Sequence, residues 1–282
     1  MKRKNKVIIL GAGPVGLILA WLFSKKGWST EIYEKNNIVG GLCRSWEWKK
    51  CILDTGPHIF HTSNKKLWAF WLKHFGNILV NGKYFSKNVA DDNFSKMYDY
   101  PISIEGIQKL SKDKKKKILE ELKSTKKNFI SKNFKEHIEN QVGPTLQSMF
   151  FEKYPEKLWG VKTEEMTSDW APKRIKLTKK IDPFFQTEKT AVGKFGTGKI
   201  YEKISKKIKK KKGKIYLKNE VINFNTYKNK VSSIHLKNKK KLNINNKDIL
   251  ISTLPLSLTA KFLNYKSTLK FRGVRSVYVL IN

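Results

Sequence analysis

Apolar positions occur first as an unbroken run, KVIIL at residues 6–10, and then, beyond the glycine-rich break GAGPVG, at helical spacing through LILAWLFSKKG. The run has the character of a strand buried on both faces, and the spaced segment that of a helix lying against it. STEIYEK follows as a second strand, ending at Glu34. Farther on, LDTGPHIFHT (53–62) sets His58 and His61 in a strand-like apolar run behind a Gly-Pro pair, which restricts the local backbone path. From about residue 105 to about residue 150 the pattern becomes that of polar, lysine-rich helices. GKFGTGKIYEKISKKIKKKKGKIYLKNEVINF then predicts a glycine turn, a helix capped by Thr197, a stop at Gly213 and a strand returning to the first sheet. KVSSIHL and KKLNIN predict small antiparallel strands, DILISTLPL a buried strand that ends this meander and turns at Pro255, and SVYVLIN a last apolar strand. The whole predicts an α/β protein in three stretches. Residues 1–80 and 193–282 form one domain from two segments, and 81–192 form an inserted domain that is mostly helical, with some β structure.

Charge changes this picture less than its size suggests. The net charge of +36 arises from 59 basic against 23 acidic residues, but arginine appears only at positions 3, 44, 174, 272 and 275. A lysine excess beside plentiful asparagine and isoleucine is what codon bias in an AT-rich genome produces, so the rare arginines are the better clues. Runs such as KDKKKK lack the interleaved aromatics of a nucleic-acid reader, which argues against that partner. Weak peripheral contact with an anionic membrane stays compatible with the charge. Cys43 and Cys51 lie eight positions apart with no metal-ligand spacing, which predicts neither a zinc site nor a disulfide framework and fits a reducing cytoplasm. The apolar amino-terminal run resembles a membrane anchor, but three glycines and a proline interrupt it.

Strand, glycine turn, helix and acid-ended strand together form a dinucleotide-binding pattern of the Rossmann type. Gly11 permits the tight turn, Gly13 lets a pyrophosphate approach the helix N-terminus, and Gly16 allows the helix to lie close to the sheet. Glu34 stands where a carboxylate accepts hydrogen bonds from ribose hydroxyls.

The next motifs carry a family resemblance. IVGGLCRSW, with Gly40, Gly41 and Arg44, resembles the stretch that flavoproteins of the amine oxidase and protoporphyrinogen oxidase superfamily lay along the pyrophosphate of FAD. GPHIFHT resembles the UDP-galactopyranose mutases within that superfamily, which implies FAD as cofactor, His58 beside the flavin ring and His61 behind it. YPEKLWG is similar to the mutase stretch whose tyrosine and tryptophan contact the uracil, implying Tyr154 and Trp159 for that role. MTSDWAPKRIKL implies that Arg174 holds the substrate diphosphate, FRGVRSVYVLIN implies the same for Arg275, and KNEV implies a backbone contact from Val221 to the adenine. On this resemblance the substrate is a small molecule, a nucleotide sugar whose ring opens and recloses at a reduced flavin, in polysaccharide synthesis. The catalytic set is His58, Arg174 and Arg275, with no metal. The resemblance also implies that the chain stops before the family's closing glycine-rich strand–helix element. Two other functions remain open from sequence: a flavin-dependent oxidase of the protoporphyrinogen or amine oxidase type, and a basic membrane-surface protein with an inactive nucleotide fold. Oligomeric state is not encoded in any of these patterns.

Overall fold

The computed structural model describes residues 6–83, 86–89, 97–100, 102–125, 129–169, 177–180, 189–269 and 271–281. The chain divides into two units, one formed by Met1–Asn81 with Lys189–Asn282 and the other by Gly82–Glu188.

In the first unit Lys6–Leu10 forms β1, Pro14–Lys25 forms α1 and Ser29–Tyr33 forms β2. The two strands run parallel with Ile8 opposite Glu31. A hairpin follows, made of β3 (Ser45–Trp48) and β4 (Cys51–Asp54), and then β5 (Phe60–Thr62), α2 (Lys65–Phe75) and β6 (Leu79–Asn81). Asn64 caps α2 by accepting a hydrogen bond from the Leu67 N–H at 3.0 Å.

The second unit contains a hairpin of β7 (Ser86–Val89) and β8 (Met97–Tyr100), followed by α3 (Ile104–Gln108), α4 (Lys112–Lys123), α5 (Phe134–Val142), α6 (Pro144–Gln147) and α7 (Lys153–Trp159). The one-sided apolar spacing of α4 and α5 buries Ile118, Phe134 and Ile138 against Leu146 and Phe150.

The chain rejoins the first unit as β9 (Lys189–Gly193), which lies between β5 and β6 and pairs antiparallel with both. Next come α8 (Gly198–Lys210), β10 (Lys214–Tyr216), an antiparallel group of β11 (Val221–Tyr227), β12 (Lys230–Leu236) and β13 (Lys241–Asn243), then β14 (Ile249–Ser252) and α9 (Leu256–Phe262). The main sheet is parallel, in the order β10-β2-β1-β14. Its central strand has residues 7–10 fully buried, because helices α1 and α8 cover one face and the antiparallel group with α9 covers the other.

Three expectations need correction. DILISTLPL does not end the antiparallel meander: ILIS pairs parallel with β1, where an apolar run with side chains on both faces finds cover on each. SVYVLIN forms no strand among the described residues 271–281, since no neighbouring strand offers it a ladder, and Val277, Val279 and Ile281 stand exposed. Thr197 precedes α8 but does not cap it with its own side chain. Among the described residues no helix is long and apolar enough to cross a membrane.

Candidate functional site

The turn after β1 is held by the strand beside it. Gly11 adopts φ +101°, and its N–H donates to the Tyr33 carbonyl at 2.8 Å. The Leu17 N–H donates to the Gly13 carbonyl at 3.0 Å, opening α1, while Pro14 occupies the first turn and no side chain caps it. The forward amides of that turn therefore point outward as anion donors. A second glycine turn lies against the first: the Gly40 N–H donates to the Ala12 carbonyl at 2.8 Å, and a Cβ on Gly41 would come within 3.0 Å of the Gly13 Cα. Beside Gly13 itself, a Cβ would meet nothing nearer than that same turn at 4.0 Å. The two turns thus enclose a cradle free of side chains, wide enough on the Gly13 side for a phosphate to reach backbone. Arg44 overhangs it, with Nη1 donating to the Gly41 carbonyl at 3.0 Å.

Glu34 is 6% exposed and both its oxygens are used. Oε2 accepts the Ala12 N–H at 2.8 Å, and Oε1 accepts the Asn36 N–H at 2.8 Å and the Asn36 Nδ2 at 2.7 Å. The carboxylate therefore braces the glycine turn from below, and spare lone pairs remain for a further donor. Around it the chain is zipped to the returning segment: Glu34 N–H donates to the Tyr216 carbonyl at 3.0 Å and Asn219 N–H to the Glu34 carbonyl at 2.8 Å. Val221 follows as the buried first residue of β11, opposite Leu236.

A node of side chains ties the β3–β4 hairpin to the N-terminus of α8. The Asp54 carboxylate accepts from the Ser45 hydroxyl, from the Thr197 N–H at 3.1 Å and from the Thr197 hydroxyl at 2.7 Å. Ser45 Oγ in turn accepts the Gly198 N–H at 2.7 Å. Two orphan amides of α8 are thus satisfied by a distant hairpin, and the negative carboxylate sits where the helix dipole favours it. Thr55 donates to the Arg44 carbonyl through its N–H at 3.3 Å and its hydroxyl at 3.1 Å, so the node also fixes Arg44. The Tyr278 hydroxyl donates to the Asp54 carbonyl, and the Ser276 hydroxyl to the Thr55 carbonyl at 3.2 Å. Beneath the node, burial raises the Cys43 thiol above its ordinary range, offset in part by the Tyr201 hydroxyl bonded to it. Burial likewise raises the Tyr201 phenol.

His58 follows Asp54 by one short irregular stretch, and its Nδ1 is buried with no hydrogen-bond partner among the described residues. A buried imidazole nitrogen that the described residues leave unpaired is open to a partner from outside them. His61, by contrast, lies exposed on β5, opposite Thr190. Arg275 is exposed in the segment that Ser276 and Tyr278 attach to the hairpin, so its backbone passes alongside Thr55, near the start of the His58 stretch. In the second unit Tyr154 and Trp159 are 65% and 49% exposed on α7. Five helical residues turn through about 140°, so the two rings leave different faces of α7 and do not form one stacking wall. Arg174 lies outside the described residues.

The first unit therefore brings Gly11, Gly13, Gly16, Glu34, Gly40, Gly41 and Arg44 together. Sequence reasoning missed Asn36, Ser45, Asp54 and the actual role of Thr197; the available signal was an acid closing the strand CILD two residues before the Gly-Pro pair. A cavity of about 540 Å³ lies in the second unit between Tyr98, Ile107, Lys109 and Phe150, and none of the expected site residues lines it. Among the described residues no cluster of three His, Cys, Asp or Glu side chains could hold a metal ion.

Residues 9–73 match the NAD(P)-binding Rossmann-like domain family. The chain is 26% identical over 170 residues to the dTDP-fucopyranose mutase of Escherichia coli and 26% identical over 176 residues to a probable UDP-galactopyranose mutase of Klebsiella pneumoniae. These matches take in 57% and 59% of this chain and 44% of each relative, so the chain spans less than half the length of the curated relatives it matches. The crystal structure of reduced UDP-galactopyranose mutase superposes with a TM-score of 0.78 over 94% of this chain and 58% of that one, at 21% identity, which establishes the fold. The expected α/β Rossmann-like architecture and the resemblance to the mutases are both borne out.

Proposed function

We propose that the chain binds FAD in the first unit and forms part of an enzyme that interconverts the ring forms of a nucleotide sugar. The observation that carries this is the pair of abutting glycine turns with the unpartnered Nδ1 of His58 on the stretch that follows them. The cradle fits a pyrophosphate: outward amides at the start of α1, space beside Gly13 that only the Gly41 Cα borders, at 4.0 Å, and the Arg44 guanidinium, whose five donors allow it to hold Gly41 and a phosphate oxygen together.

In this reading Gly11, Gly13, Gly16, Gly40, Gly41 and Arg44 hold the pyrophosphate, Glu34 adds ribose hydroxyls to the donors it already accepts, and Val221 offers backbone to the adenine. His58 meets the flavin ring through its buried nitrogen. When bound, a reduced flavin would supply nucleophilic chemistry toward the sugar's anomeric carbon. The protein's own part is position and charge. Tyr154 and Trp159 contact the base as separate surfaces rather than as a clamp, and Arg174 and Arg275 neutralise the departing diphosphate.

Two measurements test this. Protein produced with ample riboflavin, or titrated with FAD, is expected to show flavin absorbance; protein that stays colourless and fails to quench FAD fluorescence overturns the cofactor assignment. Conversion of UDP-galactopyranose or dTDP-fucopyranose is then expected only after dithionite reduction and without net redox change. If oxidised FAD bleaches with an amine or porphyrinogen substrate, the redox alternative replaces the mutase reading while the cofactor assignment stands.

A further inference from the structure

The helices over the main sheet differ in charge from those of the second unit. Helices α1, α2 and α8 hold ten lysines and a single carboxylate, Glu202, which is paired with Lys199 at 3.0 Å. Helices α4, α5 and α7 hold nine lysines but six carboxylates. A codon-driven lysine excess acts on the whole chain alike, so it accounts for the second set and leaves the first unexplained.

Part of this charge is gathered at one place. Lys25 and Lys207 bring their ammonium groups to 5.6 and 5.4 Å from the centre of the Trp21 ring, and Lys203 lies 5.9 Å from that of Phe75. His74 meets Trp21 edge-on at 4.9 Å, and its protonation is opposed by burial and then by Lys207, Lys25, Lys73 and Lys203. Among the described residues no carboxylate pairs with any of these four lysines; the only hydrogen bond from one of their ammonium groups runs from Lys203 to the Asn77 side chain at 2.7 Å. Crowded like charges without a counter-ion are relieved by an external anion.

The apolar residues on these helices narrow the choice of anion. Trp21 and Phe75 are buried beneath the lysines, and the other rings on these helices are half-buried or buried, which disfavours stacked nucleobases. Leucines stand out instead: Leu22, one turn from Lys25, is 40% exposed, and Leu67, two turns before His74 on the same stripe of α2, is 45% exposed. Lysines interspersed with exposed leucines match a bilayer interface, with cations at headgroup phosphates and aliphatic side chains at the acyl boundary. We propose that the α1–α2–α8 face docks onto an anionic lipid surface. This is independent of the flavin assignment.

The test is co-sedimentation of the full chain with vesicles of phosphatidylcholine alone or with about a third phosphatidylglycerol, at about 0.1 M salt. Binding is expected only to the anionic vesicles. The triple substitution Lys25→Glu, Lys203→Glu, Lys207→Glu is expected to weaken it at least about thirtyfold, against no more than about threefold for Lys114→Glu, Lys115→Glu, Lys116→Glu on α4, which changes net charge equally. Should the first variant unfold, Leu22→Ser with Leu67→Ser serves in its place, with a loss of about tenfold expected. Equal loss in the two lysine variants, or an unchanged affinity in the folded leucine variant, overturns the proposal. So does displacement from vesicles by millimolar pyrophosphate, which marks a discrete phosphate site, or by single-stranded RNA at equal phosphate, which marks a polymer partner.

Discussion

The glycine turn after β1 and the Asp54 node serve the same loop by different means. The turn is built from neighbours in sequence: Gly11 to Gly16 follow β1 directly, and its braces come mostly from the next strand and turn, through the Tyr33 carbonyl, the Glu34 carboxylate and the Gly40 amide. The node is built from residues 143 apart, and its strength lies in side-chain hydrogen bonds rather than in backbone conformation. One region depends on the absence of side chains, the other on their chemistry. A substitution in the first thus acts by collision, and one in the second by leaving buried donors without acceptors.

The largest effect is expected where both means meet. A Cβ at Gly198 would collide with the Ser45 backbone nitrogen, and neither α8 nor the hairpin can yield, so Gly198→Ala is expected to cost about 3 kcal/mol, read as a lower urea midpoint. If the midpoint is unchanged, the hairpin and helix are not locked together. Next, Asp54→Ala strands the Thr197 amide and both hydroxyls and is expected to cost about 2 to 3 kcal/mol, with Asp54→Asn recovering about half through its remaining carbonyl oxygen. Identical losses in the two variants would show that the node acts through shape alone. On the turn side, Glu34→Gln keeps one acceptor oxygen but turns an NH2 donor toward the Ala12 or the Asn36 amide, so FAD is expected to bind about tenfold more weakly and stability to fall by about 1 to 2 kcal/mol. The smallest effect concerns Cys43. Its raised thiol pKa means that thiolate appears only at higher pH than in a free thiol, so near pH 8 iodoacetamide is expected to modify exposed Cys51 first and Cys43 later, as peptide mapping can follow. Simultaneous modification would mean that the floor of the node is open.

What could be read beforehand divides along the same line. The turn was legible because conformation is local there: KVIIL, GAGPVG and the acid at Glu34 lie within one strand–helix–strand unit. The node was not, since nothing around Asp54 or Ser45 announces a helix that begins at Gly198. Thr197 misled for a related reason. A threonine before a helix usually caps it, but here its hydroxyl serves Asp54 and the capping passes to the hairpin. ILIS was recognised as a buried strand, but its parallel partner was not, because an apolar run does not specify which sheet covers it. The resemblance of YPEKLWG implies Tyr154 and Trp159 for the base, and only the helical course of α7 adds that the two rings leave it in different directions.

The pairing of β6 with β9 has an engineering consequence. Asn81 stands opposite Ala191, so the chain departs and re-enters through adjoining strands of one stem. With residues 82–188 cut out and Asn81 joined to β9 by a tight hairpin turn, the first unit would form a minimal Rossmann-like scaffold whose hydrogen-bond ladder is intact, open to grafted loops of other specificity.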